Sequence, residues 1–168
     1  MARPLLLLDV DGVLSPLGSD PTTGTGMGTG GWTDWTDPET TGFFLPMSIT
    51  MGKALADLPC DRAWLTTWQD DANTCIGPVL GWSALPVLPR STSGPVRERW
   101  WKLDAAVESL THDPRPVVWI DDDLRSHNRA ARTALTALGV PFLLVSPRRD
   151  VGLTNAQVNR ITRWISDL

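Results

Sequence analysis

Asp9 and Asp11 stand two residues apart in the run Asp9-Val10-Asp11-Gly12-Val13, directly after the apolar stretch at residues 5–8. That stretch is too short to cross a membrane but has the length of a buried strand. Two carboxylates therefore emerge where a strand ends and a glycine loosens the backbone. Open α/β sheets place their chemistry at strand ends of this kind. A bound cation would offset the paired charge. A solvated turn would use the same residues, so other segments must decide between the two readings.

Three further segments carry what Asp9 and Asp11 would need. The strand expected at residues 62–66 ends in Thr66-Thr67, which supplies a hydroxyl and backbone N–H groups. Lys102 lies within a helical pattern that precedes the strand at residues 116–120, and that strand ends in Asp121-Asp122-Asp123. Each has an ordinary explanation by itself. Thr66 could cap a helix, Lys102 could sit on a solvated face, and the acids could favour a helix N-terminus. Their occurrence in order, with the strand-borne ones at strand carboxyl ends, is harder to attribute to accident.

Strand and helix patterns alternate to position these groups. Strands are expected at residues 5–10, 62–66, 85–88, 116–120 and 141–145. The third of these, with Pro86 inside and Pro89 after it, suits an edge. Helical spacing occupies residues 48–58, 69–76, 96–110, 124–138 and 155–167, with Gly139 and Thr154 as caps. This alternation predicts an α/β fold with a mainly parallel sheet and right-handed crossovers. The first and fourth strands must then be neighbours. Residues 15–46 break the pattern. They are rich in Gly and Thr, too long for an ordinary connection, and contain Trp32, Trp35, Phe43 and Phe44. We read them as a flexible flap over the first strand's carboxyl end. They contain no phosphate-binding G-x-x-x-x-G-K-S/T pattern.

Composition sets the outer limits. The chain has 168 residues, enough for a single domain over residues 1–168. Its net charge of −4 argues against a broad electrostatic grip on nucleic acid or anionic membranes. Cys60 and Cys75 form neither a disulfide framework nor a metal spacing, which suits a reducing cytoplasm. Neither a secretory signal nor a membrane span is evident, so a cytoplasmic location is expected. Trp32, Trp35 and Trp68 could stack on a ring or base, although most of the tryptophans suit core packing.

Taken together, the four segments resemble the haloacid dehalogenase-like superfamily. Its first motif corresponds to Asp9-Val10-Asp11-Gly12-Val13, its Ser/Thr to Thr66, its Lys to Lys102, and its terminal acids to members of Asp121-Asp122-Asp123. The resemblance implies a three-layer Rossmann-like fold with a five-stranded sheet in the order 5-4-1-2-3, helices on both faces and the Gly-rich flap after strand one. It implies a phosphohydrolase acting on phosphate monoesters. Asp9 would be the nucleophile, forming an aspartyl-phosphate, and Asp11 the general acid and base. Thr66, Thr67, Lys102 and the Gly12 N–H would bind the phosphoryl oxygens. Mg²⁺ would be held by Asp9, Asp121 and the main-chain carbonyl of Asp11, with Asp122 completing the shell through water or orienting Asp121.

The two places where that family inserts cap domains hold only the flap and one short helix with a strand. The enzyme would thus be capless or nearly so. Such members tend to act on macromolecular ends or to borrow a lid from a second subunit, here in a homodimer. The runs Trp64-Leu65-Thr66-Thr67-Trp68 and Gly152-Leu153-Thr154 are similar to domains fused to bacterial RNA-repair enzymes. The expected substrate is a nucleotide or polynucleotide end, or a small phosphorylated metabolite. Phosphotransfer to an alcohol acceptor, or a non-catalytic binding module of the same fold, are the alternatives. Arg97 or Arg99 could replace Lys102 at the phosphate. Arg125, Arg129, Arg132, Arg148 and Arg149 could hold a second anionic group or form a solvated face.

Overall fold

The computed structural model describes residues 2–20, 26–28, 30–38, 42, 44–90 and 100–168. Its main sheet consists of β1 (Leu5–Leu8), β4 (Asp61–Trp64), β5 (Val117–Ile120) and β6 (Phe142–Val145), in the order β4-β1-β5-β6. All three pairings are parallel. Every residue of β1 and β5 is buried, as a central strand covered on both faces requires.

Alternate side chains of these strands feed two separate cores. Leu6, Leu8, Val118 and Ile120 join Met51, Leu55, Val158 and Ile161, which belong to α1 (Ile49–Ala56) and α4 (Asn155–Ser166). Leu5, Leu7, Val117 and Trp119 join Ala105, Leu110, Ala131 and Leu135, from α2 (Trp101–His112) and α3 (Leu124–Ala137). Two helices thus cover each face. The helix ends follow the chemistry of their capping residues. Ser48 accepts from the Met51 N–H ahead of α1, and Thr154 with Gln157 forms a capping box ahead of α4. Gly139, at φ +68°, closes α3 in a conformation that suits glycine.

The expected third strand, residues 85–88, is not a strand of the sheet. Residues 85–88 make one isolated parallel bridge, Trp64 to Val87, through hydrogen bonds Trp64 N to Pro86 O and Leu88 N to Trp64 O. Pro86 lacks the N–H that would extend this bridge toward the amino end of β4, and the Arg90 N–H, which would extend it the other way, donates to Gln69 Oε1 at 3.1 Å. Of the expected order 5-4-1-2-3, the sheet keeps 5-4-1-2, as β6-β5-β1-β4, and residues 85–88 are only a bridged segment beside β4. The helix expected at residues 69–76 is a short π-helical turn, Ala72–Ile76. The first part of the helix expected at 96–110 lies outside the described residues, as do Arg97 and Arg99.

Within residues 15–46, the described parts are tied to the body of the domain. Trp32 is buried, and its indole N–H donates to the Leu153 carbonyl at 2.6 Å. The Asn155 N–H donates to the Gly30 carbonyl at 2.9 Å. β2 (Trp35–Thr36) pairs antiparallel with β3 (Met47–Ser48). Residues 21–25, 29, 39–41 and 43 of the expected flap lie outside the described residues. Among the described residues, no helix is long and apolar enough to cross a membrane.

Candidate active site

Register brings the acids together. Leu8 is the partner of both Trp64 and Ile120, so the chain leaves three adjacent strands at one level. The next residues are Asp9 after β1, Asp121 after β5, and Thr66 two positions beyond β4. Because α2 runs back against the strands before β5, its first turn lies at this same end and carries Lys102. The Lys102 ammonium donates to Asp9 Oδ2 at 2.6 Å and to Asp121 Oδ2 at 2.8 Å. All three side chains are almost fully withdrawn from water, at 4%, 6% and 0% exposure.

The remaining carboxylate oxygens are also engaged. Asp9 Oδ1 accepts from the Val10 N–H at 2.8 Å, and Asp121 Oδ1 from the Asp123 N–H at 2.9 Å. Arg149, which follows β6, donates to Asp122 Oδ2 through Nε at 3.1 Å and Nη2 at 2.8 Å. The Asp11 carboxylate is held apart from these groups by the Trp68 indole, which donates to Oδ2 at 3.0 Å. The turn that aims Trp68 is locally fixed. Trp68 N–H donates to Thr66 Oγ1 at 3.3 Å, and the Gln69 side chain donates to the Thr66 carbonyl at 2.6 Å. Gln69 itself has φ +48°, an unusual value for a residue with a side chain.

Gly12 is required by close approach. At φ +70°, a Cβ there would lie 2.7 Å from Asp122 Cγ, inside any tolerable contact. Its N–H donates to the Ser15 carbonyl at 2.8 Å, so in this conformation it is not offered to a ligand.

Three acidic side chains, Asp9, Asp121 and Asp122, each present an oxygen within 4.8 Å of the others. The donor set is oxygen only, which suits a hard divalent cation. Electrostatics agree. Burial pushes the Asp9 carboxyl above its ordinary range, and Lys102 opposes this only in part. Burial, and then the charge of Asp9, push Asp121 up to about 7. Burial would lower the Lys102 ammonium, but Asp9 and Asp121 outweigh it and raise the net value. Two buried acids with one buried ammonium favour taking up a further positive charge, whether a proton or a metal ion.

Among the residues singled out from the sequence, Asp9, Thr66, Lys102, Asp121 and Asp122 are buried at this end of the sheet. Asp11 is half-buried at its edge, Thr67 is exposed, and Asp123 is half-buried, with its side chain 3.5 Å from Arg149. Two partners were not singled out for these roles. Trp68 stood out as a stacking surface, and Arg149 as a general anion contact. The position of Arg149 just after the β6 strand end was the signal for its role.

Comparison with protein-family models, with curated proteins and with solved structures gives no match in any of the three.

Proposed function

We propose that this chain is a Mg²⁺-dependent phosphate-monoester hydrolase of the haloacid dehalogenase type, with Asp9 as its nucleophile. The observation that carries this reading is the bridging of Asp9 and Asp121 by the single buried ammonium of Lys102, with Asp122 within ligand distance. A carboxylate used only for stability is poorly served by burial beside a second one. A carboxylate meant to attack phosphorus needs this desolvated, cation-lined setting.

Asp9, Asp121 and Asp122 would hold the Mg²⁺, which supplies charge neutralisation between the attacking carboxylate and the phosphate dianion. Lys102 and the Thr66 hydroxyl bind non-bridging phosphoryl oxygens. An Asp9 oxygen forms a bond to phosphorus as the ester P–O bond breaks. Asp11 gives its proton to the leaving oxygen. Asp11 then takes a proton from water as the water oxygen attacks the aspartyl-phosphate. Inorganic phosphate departs, and both carboxylates return to their starting state. The substrate class is an organic phosphate monoester: a nucleotide or polynucleotide end, or a phosphorylated metabolite.

The test is a panel of phosphorylated metabolites and of oligonucleotides phosphorylated at either end, with Mg²⁺ or with excess chelator. Wild-type protein releases phosphate only with the metal. Asp9→Asn is expected to lose at least about 10³-fold in rate. Substantial turnover by Asp9→Asn, or undiminished turnover in chelator, would overturn the proposal.

A further inference from the structure

The opposite end of the same sheet carries a charged site that the proposed hydrolysis does not use. At the amino ends of β1 and β4, an open cleft of about 500 Å³ is lined by Arg3, Arg62 and Arg115, with Asp61 the one acid among the lining residues. Its other walls include Leu85 and Leu88. Four residues of strand, about 13 Å, separate this level from Asp9.

The guanidiniums are unequally satisfied. Arg115 donates to Asp61 Oδ2 at 2.5 Å and lies 3.0 Å from Asp113 Oδ2. Arg3 reaches Asp61 Oδ1 at 3.5 Å. Arg62 has no carboxylate among the described residues. Its guanidinium lies over the Trp82 ring at 4.6 Å, and its Nη1 is buried without an acceptor. Burial pulls the Arg62 charge below its ordinary range. A cation packed on an aromatic face loses little further freedom on binding an anion, and a guanidinium fork matches carboxylate and phosphate oxygens.

We propose that this cleft binds a small organic anion: one carboxylate or phosphate-type head held by Arg62 with Arg3, and an apolar body against Leu85 and Leu88. The volume is in the range of a small-molecule site and exceeds what a bare ion fills. Two of the three arginines share Asp61, so the cleft retains positive charge for an incoming head. The inference stands on this end of the sheet alone and is independent of the reaction at the other.

The test uses the full chain labelled for backbone amide NMR. The probes are 4-phenylbutyrate, benzylphosphonate and the neutral 4-phenylbutanol. The two anions are expected to shift the amides of residues 60–63 and 88, with 4-phenylbutanol weaker by about tenfold or more. Preference between the two anions identifies the head group. Arg62→Met, which keeps a long apolar stem on Trp82, is expected to weaken anion binding by about tenfold, and Arg3→Met by about threefold. Arg3 is 63% exposed, so its variant reports even if Arg62→Met fails to fold. Equal binding of the neutral alcohol, unchanged affinity in both variants, absence of shifts at millimolar probe, or shifts confined to residues 9–12 would each overturn the proposal.

Discussion

The two ends of one four-stranded sheet carry opposite electrostatic problems. At the carboxyl end, Asp9, Asp121 and Asp122 crowd together, and one buried ammonium lies between two of them. At the amino end, Arg3, Arg62 and Arg115 line one cleft with Asp61. The first end is closed, with Lys102 and Asp121 at 4% and 0% exposure; the second is open, with Arg3 and Asp61 at 63% and 44%. Charge is expensive to leave uncompensated in the first and only mildly so in the second. The difference teaches where a missing counter-ion must be sought: a cation among the acids, an anion among the arginines.

Matched substitutions of one cation at each end probe this contrast most strongly. Lys102→Met leaves Asp9 and Asp121 facing each other without an ammonium. At pH 8 and without divalent metal, urea denaturation is expected to show a loss of about 3–5 kcal/mol. Activity under the proposed reaction falls by at least about 10²-fold. Arg62→Met removes a guanidinium that has no carboxylate partner among the described residues. It forfeits its contact with Trp82 but also a buried, unpaired N–H, so stability stays within about 1 kcal/mol of wild type. Equal losses at both ends would break the comparison.

The carboxyl end was the more legible of the two in the sequence, for a physical reason. Asp9 and Asp121 follow apolar runs whose length marks buried strands, Thr66 ends the expected strand at residues 62–66, and parallel register sets the strand ends level. Lys102 was legible because the helix before β5 must return to that end. Nothing local marked Trp68 as the partner of Asp11, since that contact spans 57 positions and depends on the turn held by Gln69. The third expected strand failed because hydropathy over residues 85–88 says nothing of the N–H that Pro86 lacks. The amino-end cleft was invisible, because Arg3, Arg62 and Arg115 come from three segments far apart in the sequence.

A second contrast is in pH. Asp121 is pushed from 3.8 in its ordinary state up to about 7, by burial first and by Asp9 second. The native protein therefore holds a proton there that the unfolded chain has released. Without divalent metal, this group makes stability fall as pH rises from about 4 to about 7. A metal ion must displace the same proton. Below pH 7 its affinity is expected to weaken by about tenfold for each unit of acidification, and to level off above. Calorimetric titration with Mg²⁺ in buffers of different ionisation enthalpy at pH 6 is expected to show release of at least about one proton, since Asp9 is raised beside Asp121. Binding that releases none, with affinity flat across this range, would mean that the acids do not form the metal site. The amino-end cleft, lined by arginines, is expected to bind its carboxylate probe evenly from pH 6 to pH 8, because a guanidinium stays charged throughout.

The smallest expected effect separates proton transfer from mere packing at the carboxyl end. Trp68→Phe keeps an aromatic ring but removes the N–H that holds Asp11 Oδ2 at 3.0 Å. Asp11 remains present, so the loss in kcat is expected to be about fivefold, well short of removing a general acid outright. KM is expected to hold, since Thr66 and Lys102 are untouched. The decisive reading is the leaving group. An alkyl phosphate needs its departing oxygen protonated, whereas p-nitrophenolate leaves without help. If Trp68 positions Asp11 for proton delivery, the defect is several-fold on the alkyl ester and nearly absent on p-nitrophenyl phosphate. A uniform defect on both esters would instead mean that Trp68 only shapes the turn after β4, and that Asp11 finds its orientation without the indole.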